Sequence, residues 1–401
     1  MVVLAKIRGF GLRTPGPASG SPSANLPALD GVRGIAILWV IMHNLYAIDG
    51  PRFPGILGYL VMIGLAAGWM AVTLFFALSG FLITGILLDS QNDPGYYRNF
   101  YARRVLRILP LYYGVLLVAF VLLPLLGPLP PRLAADQSHQ VWLWACLSNW
   151  TAPFGIADKT FPHFWSLAVE EQFYLLWPFL LRRRSAVVVM RLCLGIAVIA
   201  FGFRVAMWSF GAPAETLYSF SVSRMDALAL GAAAAAAMRV PGLASALLAR
   251  WQALLALAAV LSAGIALIPH GLWAREPAAQ IFGYSLASVS FSLLVLALAC
   301  ADRAGDTSWW SAVWRIAPLR VLAKYSYGMY VFHKPLADAV GAPMMRALGP
   351  EAMSSLPYNL AYLGISTLAT LAIAMLSYHG AEKYFLRLKP RVAREKSVLV
   401  A

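Results

Sequence analysis

The sequence predicts an all-α fold, a polytopic membrane bundle of about ten transmembrane helices with both termini cytoplasmic. Three observations point there. The 401 residues are 60% hydrophobic and only 12% charged. Apolar runs recur along the whole length, and a helix of roughly 20 mostly apolar residues is what a bilayer crossing requires. With the N-terminus inside, threading ten spans puts about three-quarters of the 32 Lys and Arg residues on the inner side, the bias that cytoplasmic loops carry.

The expected spans cover residues 34–47, 70–88, 109–126, 164–181, 186–203, 225–238, 251–268, 281–301, 321–340 and 358–377. Residues 141–150 are too short for another crossing unless they tilt or re-enter. Ahead of the spans, residues 1–28 hold Gly, Pro and Ser with scattered basic residues and read as a flexible cytoplasmic tail. Residues 29–382 form the membrane domain, and 383–401 read as a basic cytoplasmic tail. The run "GAAAAAAM" from Gly231 is a small-residue helix face that lets a neighbour approach closely.

The net charge of +15 sits in short clusters at helix ends, where it anchors to anionic headgroups, so a nucleic-acid partner is excluded in favour of the lipid bilayer. Cys146, Cys193 and Cys300 stand alone in apolar segments. No spacing for zinc or for a disulfide framework is present, and no metal site is expected.

Ionisable residues at membrane depth are costly and mark functional candidates. In "LDGVRGIAILWVIMHN", Asp30 suits the N-cap of the first helix and Arg33 its inner surface. His43 lies about 15 Å further up, near mid-bilayer, where a neutral imidazole either bonds a neighbouring span or serves as a general base. Ser79, in "FFALSGFLITGILL", lacks the context of a nucleophile turn and reads as a helix-packing residue. Arg98, Arg103, Arg104 and Arg107, interleaved with Tyr and Phe, either anchor to headgroups or form a phosphate-binding ledge. In "FPHFWSLAVEEQFYLLWPFLL", Glu170 and Glu171 point about 100° apart, so one cavity should receive at most one of them squarely. One of the two acids pairs with Arg204 or Arg224, or the two line a polar chamber.

These segments, with "FYARRVLRILPLYY", "SRMDALALGAAAA" and "YSYGMYVFHKPL", together resemble the ordered signature motifs of the acyltransferase 3 family of membrane O-acyltransferases, from about Leu29 to Glu382. The resemblance implies a multi-pass enzyme of the bacterial inner membrane. Such an enzyme moves an acyl group, usually acetyl, from cytoplasmic acyl-CoA to a hydroxyl of a sugar, a cell-envelope glycan or a glycosylated metabolite. No permanently bound cofactor is implied, and the oligomeric state stays open. Matched position by position, His43 resembles the essential histidine, with Glu170 and Glu171 the paired acids of the catalytic set. Arg33, Arg104 and Arg107 fall on the donor side, with Arg103 beside them. Asp30, His163, Trp165, Ser166, Arg224, Asp226 and His333 are the weaker candidates for contacting substrate. Nine residues separate Arg33 from His43 where the family pattern has ten. Either a bulge in the first helix restores the direction of the imidazole, or one of the two residues plays another part. A transporter or flippase for a lipid-linked glycan is the alternative reading, weakened by the lack of repeated halves.

Overall fold

The computed structural model describes residues 26–45, 55–268, 270–341, 343–344, 347, 349 and 355–388; the first 25 and last 13 residues, most of the two expected tails, lie outside these. Among the described residues every regular element is helical. We number the principal helices α1 (Pro27–Leu45), α2 (Gly55–Ala66), α3 (Trp69–Asp89), α4 (Tyr96–Leu117), α5 (Pro131–Asp136), α6 (Phe164–Leu181), α7 (Ala186–Ser209), α8 (Ser221–Ala237), α9 (Pro241–Ala249), α10 (Trp251–Ile265), α11 (Tyr284–Arg303), α12 (Ala317–Leu336) and α13 (Leu356–Ser377).

Among the described residues six helical stretches are long and apolar enough to cross a membrane: Pro27–Leu45, Trp69–Asp89, Tyr96–Leu126, Ala186–Ser209, Ala279–Arg303 and Leu356–Arg387. A seventh is added if the helices Ala214–Ala237 and Pro241–Ala249, bent by 100° at their break, count as one span. The expected figure of about ten is therefore met in part, for identifiable reasons. Glu170, Glu171 and Gln172 dilute the apolar character of α6, α10 has 15 residues, and α12 carries Arg320, Lys324 and Lys334. The chain is a multi-pass helical membrane protein.

Helices α1 and α12 run side by side in the same direction, Gly31 and Gly34 lying against the backbones of Trp314 and Leu319. The start of α1 meets the end of α11, where the Ala28 N–H donates to Asp302 at 2.9 Å. Asp302 also accepts from the Arg315 guanidinium at 2.6 Å, so a carboxylate from another helix satisfies one of the orphan donors of α1. Asp30 is not the cap: α1 begins three residues earlier, and Asp30 stands in its first turn with Arg33 Nη1 at 3.8 Å. At the far end of α1, His43 rests on Gly68, just ahead of α3; a Cβ built there would lie 2.3 Å from the His43 Cβ. Because the starts of α1 and α12 lie side by side, Gly31 on Trp314 and Gly34 on Leu319, and Tyr325 in the first half of α12 hydrogen-bonds His379, just past α13, at 3.1 Å, α13 ends toward the end of the bundle where α1 begins. We refer to this as the arginine end.

The core is built on close crossings. A Cβ at Gly80 would sit 1.9 Å from the Leu228 carbonyl oxygen, and one at Gly231 would sit 2.0 Å from that of Ala77. Helices α3 and α8 therefore touch backbone to backbone, and the alanines that follow Gly231 are buried against that contact. Beyond α13 the chain continues through a π-turn, Tyr378–Glu382, into a short helix, Lys383–Arg387, that packs against α4. The segment expected to open a basic tail is thus ordered, because Tyr384, Phe385 and Arg387 extend the last span instead of leaving it.

Candidate active site

Five helices, α1, α3, α4, α6 and α12, enclose a cavity of about 320 Å³ lined by Arg33, Ser79, Arg104, Arg107, Glu170, Glu171, Tyr174 and Tyr327 among others. Helical periodicity explains which side chains arrive. Arg104 and Arg107 are three residues apart on one face of α4, and Ser166, Glu170 and Tyr174 form a stripe at intervals of four on α6. Both acids line the cavity, contrary to the expectation that only one could, because the space wraps around α6 and receives side chains 100° apart. Neither pairs with Arg204 or Arg224. The Tyr174 hydroxyl donates to Glu170 Oε2 at 3.0 Å. Its single hydrogen being spent, its oxygen accepts from the Ser79 hydroxyl at 2.5 Å. Ser79 is thus part of a polar relay as well as of the helix packing expected of it. The Arg104 guanidinium lies 5.3 Å from the centre of the Tyr174 ring, within cation–π range. Arg103 points elsewhere, into a groove of about 80 Å³ bordered by Asp93, Tyr96 and Asn99.

His43 is not in this wall. Helix α1 is unbroken from Pro27 to Leu45, so no bulge restores the family spacing, and ten residues of regular helix turn His43 about 80° from Arg33 and lift it about 15 Å. The polar chamber therefore assembles around Arg33 and the acids without the imidazole. His43 Nδ1 is 2.6 Å from the Leu65 carbonyl oxygen. A carbonyl only accepts, so Nδ1 carries the hydrogen and Nε2 presents its lone pair. This is the tautomer a general base needs.

The weaker candidates divide into three groups. Ser166 shares the cavity and donates to the Tyr330 hydroxyl at 2.5 Å, which itself donates to the His163 carbonyl at 2.8 Å. His163 and His333 are buried ring to ring, 4.6 Å between centres. His333 donates from Nδ1 to the Tyr330 carbonyl at 2.7 Å, and among the described residues Nδ1 of His163 and Nε2 of His333 have no hydrogen-bond partner. Trp165 packs on Phe76 and Tyr218. Arg224 is held by Thr73 Oγ1 at 2.9 Å and by three aromatic rings, the Tyr284 centre at 4.1 Å. Asp226 is engaged by Arg204 at 2.8 Å in a fully buried ion pair, and Arg204 also donates to the Ser223 carbonyl and the Ser285 hydroxyl. The Asp226 carboxylate is thus engaged within the core.

Sequence reasoning passed over Tyr174, Tyr327 and Tyr330. A signal for Tyr174 was present, since it stands four residues after Glu170 on the same helical face. Tyr327 and Tyr330 had none, because only the packing of α12 across α6 turns them inward.

The family model for the acyltransferase domain matches residues 26–379, and the chain belongs to the acyltransferase 3 family. It is similar to the peptidoglycan O-acetyltransferase OatA of Listeria monocytogenes, 24% identical over 89% of this chain and 55% of that protein. It is also similar to the putative peptidoglycan O-acetyltransferase YrhL of Bacillus subtilis, 28% identical over 89% of this chain and 54% of that protein. A putative O-acetyltransferase of Staphylococcus aureus strain COL is 28% identical over 51% of this chain and 34% of its own length. The chain spans about half the length of the first two relatives. No solved structure matches it.

Proposed function

We propose that this protein transfers an acyl group, acetyl in the first instance, from cytoplasmic acyl-CoA to a hydroxyl of a cell-envelope glycan, in the bacterial inner membrane. The observation that carries the reading is the gathering of Arg33, Arg104 and Arg107 around one cavity inside the bundle. Guanidinium forks match phosphate oxygens, and the nucleotide end of CoA is rich in phosphates. With the phosphates held at the arginine end, the pantetheine arm runs along α1 toward His43. There Nε2 takes the proton of the acceptor hydroxyl as its oxygen attacks the thioester carbonyl. The C–S bond then breaks, and the protonated imidazole returns its proton to the departing CoA thiolate. Glu170, fixed by Tyr174 and Ser79, orients Arg104 and the donor and takes no proton in the chemical step. An acceptor of the peptidoglycan class is supported by the names of the two relatives covering most of the chain.

The test is direct. Purified protein in detergent, given radiolabelled acetyl-CoA and a fragment of peptidoglycan, should release CoA and label the fragment in an alkali-labile O-ester. No CoA release under any acceptor, with binding of a lipid-linked glycan instead, would replace this reading by a transporter.

A further inference from the structure

Away from the cavity, the end of α5 and the loop leading to α6 bring together three residues, two of them three apart in the chain and the third from the loop. His139 Nε2 lies 3.4 Å from Asp136 Oδ1 and 3.7 Å from Asp158 Oδ1. The three ligand atoms all fall within 4.8 Å of one another. The Asp136 side chain is fully buried and that of Asp158 is 5% exposed, yet among the described residues neither Asp158 Oδ1 nor His139 Nε2 has a hydrogen-bond partner. A buried carboxylate oxygen aimed at a bare imidazole nitrogen, with no hydrogen between them in bonding geometry, is expensive unless something positive completes it.

We propose that Asp136, His139 and Asp158 bind one divalent cation of the zinc class. The separations argue for it: ligands about 2.1 Å from a zinc ion stand about 3.4 Å apart in a tetrahedron. The donor set argues for the same class, since one imidazole and two carboxylates favour zinc over calcium or magnesium, which take oxygen ligands almost exclusively. Outer partners are in place as well. Ser138 Oγ lies 3.4 Å from His139 Nδ1, which leaves Nε2 as the metal-facing nitrogen. Asp136 is oriented by the backbone N–H groups of Lys159 and Thr160 at 2.9 and 2.8 Å. Such second contacts set ligand direction at metal sites. The ion would clamp the end of α5 to the loop that leads into His163 and α6, and an ion pair between Arg132 and Asp338 at 2.8 Å ties the same short helix to the segment after α12. The clamp is independent of the donor chemistry proposed above.

The experiment uses tag-free, full-length protein in detergent, stripped with a chelator, and titrated with zinc chloride against a chromophoric competitor. One zinc per chain at submicromolar dissociation constant is expected, with millimolar magnesium not competing. In Asp158→Asn and His139→Gln the affinity should fall roughly 100-fold or more. Absence of stoichiometric zinc in the wild-type protein overturns the site. So does unchanged affinity in both variants, which would leave the cluster a protonated histidine between two carboxylates. If the variants fail to fold, cobalt titration of the wild-type protein decides: intense visible bands of a tetrahedral N,O site support the proposal, and their absence rejects it.

Discussion

The two ends of α1 differ sharply. Near its start Arg33 opens into a wide cavity shared with two further arginines and two glutamates. Near its end His43 meets one backbone carbonyl and a glycine. The first arrangement surrounds space with charge and suits binding a large anion. The second fixes one proton on one nitrogen and suits chemistry. A rigid helix holds the two about 15 Å apart, so perturbing either end should leave a distinct kinetic signature.

The largest effect is expected at the imidazole end. His43→Ala should lower kcat by about 10²–10⁴ while leaving KM for acyl-CoA within a few-fold, measured on enzyme normalised to folded protein. A rise in KM with kcat intact would move His43 to binding and erase the division.

Next in size is a contrast in stability. Arg204 and Asp226 are also buried charges, but they face each other at 2.8 Å, so Arg204→Met should destabilise the fold by about 3–5 kcal/mol, read as a lower detergent melting temperature. Kinetics per folded molecule should hardly change. If activity vanished with stability preserved, the buried Arg204–Asp226 pair would belong with the cavity charges in function.

At the arginine end the effect should fall on binding. Losing a charge-assisted phosphate contact costs about 1.5–3 kcal/mol, so Arg104→Ala with Arg107→Ala should raise KM for acyl-CoA by at least about tenfold while kcat falls less. Lysine at either site should recover part of the loss, since it keeps the charge without the fork. If the double variant merely lowered the amount of inserted protein, both residues would be headgroup anchors.

The smallest effect sharpens the description of the cavity. Glu170→Gln should impair turnover more than Glu171→Gln, by a few-fold, because Glu170 alone of the two accepts the Tyr174 hydroxyl. Tyr174→Phe should resemble the Glu170 variant. Equal loss at both glutamates would mean that the pair acts as a unit.

Periodicity and composition settled the helical class, the places of the helices and the residues worth watching, because hydrophobic length and the cost of buried charge are local properties of a sequence. The ordered motifs singled out Arg33, Arg104, Arg107 and the two glutamates, but set the acids with His43 and the arginines on the donor side; that all five line one cavity is a product of packing. Tyr327 and Tyr330 enter the cavity because α12 packs across from α6, and His43 stands outside it because an unbroken helix turns it away. The partner of Asp226 is Arg204, 22 residues away on a neighbouring helix. Asp136, His139 and Asp158 gave no motif at all, since a ligand set drawn from a helix end and a distant loop has no fixed spacing. What a sequence determines is which groups must be paid for in a membrane; which partner relieves each one is decided by long-range packing, through distances of a few ångströms between residues far apart in the chain.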